Sequence, residues 1–187
     1  MIKRIYKYIP IINRGIIIIS VFISFIYFFL YLKERNYSLV LACSFVLLFP
    51  FVYKYLSKKY DLKVHIKFFM CLFLFLSLVL GIIVRVFDFN FIFDKFVHFI
   101  SGVFISVYII DLLNQKHKKY STKQVVILIL MINFSIALYW EILEYLGDNL
   151  LGLNSQKGGL DTMLDVVMAM TGTILFLFFY FKPKKYI

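Results

Sequence analysis

Six apolar runs, each near the length a helix needs to cross a bilayer, constrain this chain more than any other feature. They are Gly15–Leu32, Ser38–Tyr53, Ile66–Val86, Phe93–Leu113, Gln124–Leu146 and Leu160–Phe181. A hydrocarbon core is spanned by roughly 20 helical residues. Backbone groups in lipid must be bonded within their own segment, so the runs predict helices and not strands. The second run is short, which implies a helix extending into its polar flank. The expected fold is all-α: a polytopic membrane protein, about six transmembrane helices in one bundle, with residues 1–187 forming a single integral membrane domain. With 63% of residues hydrophobic and only three prolines and eight glycines, there is no room for a disordered linker. The first run follows Lys3, Arg4, Lys7 and Arg14. It is too long for a signal-peptide core and lacks a small-residue cleavage site, so it reads as a retained anchor.

The charges orient the spans. The amino-terminal arm, Lys54–Lys67, Lys116–Lys123 and Lys182–Lys185 carry sixteen of the 21 basic residues. Basic residues favour the cytoplasmic side, which places both termini there. The net charge of +11 is thus a topology signal and a contact with anionic lipid headgroups. Short basic loops flanking membrane spans argue against nucleic acid as a partner. Of the ten acids, only Asp61 and Asp111 fall on the cytoplasmic half; the others fall on the outer half. Cys43 and Cys71 sit at different depths, about 15 Å apart along their helices, too far for a disulfide. They read as buried inert thiols.

The outer acids come in helical pairs. "FDKFVHFISG" puts Asp94 and His98 four residues apart, "WEILEYLGD" puts Glu141 and Glu144 three apart with Asp148 beyond, and "LDTMLDVVMAMTG" puts Asp161 and Asp165 four apart. Such spacings share a helix face. His98, Glu141 and Asp165 each lie four or five residues from a helix end, roughly 6 Å deep, so three helices contribute to one layer. The stripes continue through small or polar residues: His98 to Gly102 and Ser106, Glu141 to Ala137 and Asn133, Asp165 to Ala169 and Gly172. Small residues at this spacing let membrane helices pack closely, so the pairs are expected to face one another and not lipid.

Two carboxylates 4 Å apart repel by about 4 kcal/mol at an effective dielectric near 20, so protons or cations must hold such a layer together. Lys95, Arg85 and Lys157 are near enough in sequence to neutralise part of it, which leaves open a structural ion-pair cluster. The sharper reading is a metal site with ligands drawn from Asp94, His98, Glu141, Glu144, Asp161 and Asp165. One histidine among oxygen donors favours Mg²⁺, Mn²⁺ or Ca²⁺ and admits zinc or iron. His65 and His117 lie in basic loops and take no role. Trp140 reads as an interfacial anchor, and the loop with Gly147, Gly152, Gly158 and Gly159 as a lid or an ordinary turn.

These residues carry a resemblance. Asp94-Lys95 with His98, a membrane glutamate at Glu141 or Glu144, and Asp161, Asp165 and Gly172 resemble the VanZ-like bacterial membrane proteins, more closely the YjdF type of inner membrane protein. Gln156 fits the YjdF-type pattern, whereas Gly158 and Leu160 stand where that pattern has an acid and a tryptophan. The resemblance covers roughly residues 93–172, the polar half of the chain. It implies the bacterial plasma membrane and work at the cell envelope, without an activity. The leading expectation is a metal-dependent hydrolase or transferase acting on an envelope lipid or phosphorylated substrate, with Glu141, His98 and Asp165 catalytic and a lipid-linked molecule as partner. A proton- or cation-coupled transporter and a non-catalytic scaffold stay beside it. Whether the chain is an enzyme, and whether it oligomerises, the residues leave open.

Overall fold

The computed structural model describes residues 2–115, 120–151 and 155–182, with side chains omitted for residues 2–6 and 151. His117 and Gly152, singled out above, lie outside the described residues, as do the last two lysines of the tail. All regular structure among the described residues is helical: α1 Ile2–Lys33, α2 Tyr37–Lys59, α3 Val64–Leu74 continued by a π-helical segment Phe75–Ile83, a short α4 Val86–Phe89, then α5 Phe91–Gln115, α6 Thr122–Leu151 and α7 Gly159–Phe181. Six spans in these helices are long and apolar enough to cross a membrane. The second does extend into its polar flank, ending at Lys59. Exposed Phe, Leu and Ile side chains cover the helices outside, as a bilayer requires.

The chain falls into two compact units, Met1–Asp94 and Lys95–Ile187. In the first, Tyr31 of α1, Cys43 and Val46 of α2, and Val79 and Ile83 of the π segment form the apolar core. Both cysteines are buried and free. The run Ile66–Val86 is not α-helical throughout. At its end the Val84 N–H donates to the carbonyl of Val79, five residues back, at 2.9 Å. The Tyr31 hydroxyl donates to the Ile83 carbonyl at 2.6 Å, supplying a freed acceptor with a partner. Arg85 then turns the chain in the left-handed region, with φ 65°. The Phe87 ring packs directly on Gly81 beneath that turn, where a Cβ would lie 2.3 Å from it.

The second unit packs α5, α6 and α7 around Ile109, Ile110, Ile129 and Leu177. The division between units passes through the first turn of α5. Asp94 is therefore carried by the same unbroken helix as Lys95 and His98 and is described with it.

Candidate metal centre

The small-residue stripes of α5 and α7 bring those two helices into contact. A Cβ on Gly102 of α5 would lie 2.0 Å from the Ala169 carbonyl oxygen of α7, and one on Gly172 would lie 2.1 Å from that of Phe99. Neither position admits a larger residue, so the α5 and α7 backbones touch at two places. Thr173 fills the same seam; its hydroxyl lies 3.0 Å from the Ala169 carbonyl and 3.4 Å from that of Gly102. On α6, Asn133 donates to the Ser106 hydroxyl of α5 at 3.2 Å, which turns the Asn133–Ala137–Glu141 stripe toward α5. The two helices run antiparallel, so eight residues along each from this bond lead to His98 and Glu141. That is about 12 Å along both, which brings the two residues to one level.

Above these contacts lies a buried polar cluster. Asp94, Lys95 and His98 on α5, Glu141 on α6, and Asp161 and Asp165 on α7 are all buried, Asp165 to 1% exposure. One ligand atom each from Asp94, His98 and Asp165 lie within 4.8 Å of one another. A single ion bonded to oxygen and imidazole nitrogen at about 2.0–2.6 Å fits such a spread. His98 Nε2 is 3.5 Å from Asp165 Oδ1. Among the described residues this is the set with metal-holding geometry. It joins three of the six ligands expected from sequence and does not include Glu141, Glu144 or Asp161.

Lys95 has a larger part than its sequence position suggested. Its ammonium bonds an Asp161 oxygen and donates to both Asp165 oxygens, at 2.8 and 2.9 Å. One lysine thus bridges two carboxylates a helical turn apart. With all three ionised this knot carries one net negative charge, and Asp94 adds another. Asp165 is the hinge of the arrangement, facing Lys95 and His98 together. The available signal was a lysine inside an apolar span, next to Asp94: a charge that must face the interior or reach the interface.

The remaining acids are placed elsewhere. Glu144 is half-buried and accepts from Trp140 Nε1 at 2.7 Å, one helical turn away. Asp148 accepts the backbone N–H groups of Ser155 and Gln156, each at 2.8 Å, closing the loop after α6. Gln156 in turn donates to the Thr162 hydroxyl at 3.0 Å, tying that loop to the first turn of α7. Asp111, at the other end of α5, accepts from Gln115 at 2.9 Å.

No curated protein and no solved structure matches this chain. A family profile does, over residues 14–185. With six candidate spans and a match along nearly its whole length, the chain belongs to the family described as "Predicted membrane protein (DUF2238)" and is a multi-pass membrane protein.

Proposed function

We propose that this protein is a membrane enzyme, a metal-dependent hydrolase or transferase, in which Asp94, His98 and Asp165 hold a divalent cation. The observation that carries the reading is the approach of those three donors within 4.8 Å in a buried layer. Two carboxylates and one imidazole suit Mg²⁺, Mn²⁺ or Ca²⁺ and tolerate zinc or iron. Such an ion supplies Lewis-acid polarisation of a phosphoryl or carbonyl oxygen. The protein's own groups do the rest. Lys95 fixes the Asp165 carboxylate and neutralises part of its charge, as an outer partner orients a ligand. Glu141, buried and at the level of His98, is the group for moving a proton.

The excess of basic residues at one end of the spans supports a site just beneath the outer surface of a bacterial plasma membrane, with both termini cytoplasmic. Depth and amphiphilic surroundings then favour an envelope lipid or lipid-linked phosphorylated substrate, and anionic headgroups contact the basic ends. The Asp-Lys-His and Asp-Asp-Gly pattern relates the chain to the VanZ-like and YjdF-type proteins on the same reading.

The bridging of Asp161 and Asp165 by Lys95 favours a second reading. An internal ammonium satisfies carboxylates without metal, as in a proton- or cation-coupled transporter or a non-catalytic scaffold. One experiment separates them: incubate protein in nanodiscs with a polyprenyl pyrophosphate and measure phosphate release with Mn²⁺, Mg²⁺ or chelator. Enzymatic function requires metal-dependent release that is lost in His98→Gln and kept in Asp111→Asn. Absence of release, or release indifferent to chelator, sinks the hydrolase.

A further inference from the structure

The first unit carries an unexplained polar face of its own. The buried positions of α1 among the residues with described side chains are Ile9, Asn13, Ser20, Ser24 and Tyr31, which repeat in steps of four and seven and so form one stripe. Its direction is set at both ends. Asn13 Nδ2 donates to the Tyr53 hydroxyl of α2 at 3.5 Å, and Tyr31 donates to Ile83 in the π segment. The stripe therefore faces α2 and the π segment, inside the first unit. Between those ties, Ser20 and Ser24 are buried to 1% and 0% exposure.

Their hydroxyls make no hydrogen bond to the protein, nor does the Asn13 carbonyl oxygen. This contrasts with other helical hydroxyls of the chain. Ser44, Ser77, Ser106 and Thr171 each bond the carbonyl four residues back, at 2.7–2.9 Å. A buried hydroxyl left unbonded costs about 1–3 kcal/mol, and three orphaned atoms on one stripe of α1 call for a partner. The partner must be small and able both to donate and to accept, since it meets hydroxyls and an amide oxygen. Water meets both conditions, and buried water is held by groups of this kind. The facing π segment supplies a second unusual feature, because π-helical turns gather at functional places in helices.

We propose that the first unit holds bound water along the Asn13–Ser20–Ser24 face, an internal hydrated chamber within the membrane-crossing part of the chain. Asn13 and Tyr53 mark one end, where the Cys71 thiol lies beside the Tyr53 hydroxyl. Cys43, by contrast, sits in the apolar cluster with Val46 and Val79. Both cysteines are fully buried, so bulk solvent reaches them equally poorly and a label on Cys71 alone reports water held inside the unit.

X-ray footprinting of the intact protein in nanodiscs tests this, since radiolysis of bound water oxidises the side chains it touches. Cys71 and Tyr53 are expected to be oxidised while Cys43 stays intact. Asn13→Leu combined with Ser20→Ala and Ser24→Ala is expected to abolish the Cys71 label. Equal labelling of the two cysteines, or no labelling of either, in the unmodified protein overturns the proposal without reference to any variant. A Cys71 label that survives in the folded triple variant overturns it as well.

Discussion

Lys95 decides how the acidic layer behaves at the scale of single residues. Its ammonium is buried between Asp161 and Asp165, so removing it leaves two carboxylates with their bridging cation gone. Breaking one side of a buried ion pair costs about 3–5 kcal/mol. Lys95→Met is therefore expected to lower the unfolding temperature markedly in detergent, as read by a thermal melt. Asp161→Asn is the contrasting variant: Asp165 still holds the lysine through two bonds, and the loss is expected to be smaller. Equal losses from the two would show that Asp165 is not the principal partner. The sequence placed Lys95 near the site as a neutralising group but could not separate it from Arg85. Arg85 turns out to pair with Asp88 at the exposed surface, at 2.6 Å. Nor could a spacing of three distinguish Glu141 from Glu144. Both lie on one helix face, and only packing shows that one is buried while the other accepts from Trp140.

Among the elements, the α5–α7 seam is the part of the site most legible beforehand. Gly102, Ala169 and Gly172 stood on the same stripes as His98 and Asp165, and their backbones are in contact. Gly102→Ala puts a methyl group on the Ala169 carbonyl, and overpacking of this kind costs about 1–3 kcal/mol. Because the clash lies one turn below His98, the variant is expected to weaken divalent-ion affinity along with stability, measured by metal titration and thermal melt. Ala at Gly159, where a Cβ meets nothing within 4 Å, should change neither. If Gly102→Ala melts and binds like the unmodified protein, the two helices are not held at contact distance. The π segment was not legible. "FLSLVLGII" is apolar nearly throughout, and a ladder shifted by one residue leaves no mark on hydropathy.

At the scale of the whole molecule, the six spans found among the described residues were readable because a bilayer imposes a length, but their ends were not: α1 begins at Ile2, well before Gly15, and α2 runs past Tyr53 to Lys59. The division into two units had no such signature, since it falls inside one continuous helix and crosses no polar linker. On the proposed orientation, with six spans and a cytoplasmic amino terminus, Ser155 would lie outside and Ser121 inside. In a cysteine-free background, an impermeant thiol reagent applied to intact cells is expected to label Ser155→Cys and miss Ser121→Cys. The reverse pattern would put the acidic layer under the cytoplasmic surface and remove the outer-leaflet substrate. Most direct for the central claim is the metal content of purified protein by mass spectrometry, after equilibration with Mn²⁺ and removal of free ion. About one ion per chain is predicted for the unmodified protein and for Asp111→Asn, with the ion lost in Asp165→Asn and His98→Gln, from a site of two carboxylates and an imidazole. A protein that folds normally yet retains no ion, or an Asp165→Asn variant that keeps its ion, would contradict the account and leave the cluster a structural knot around Lys95.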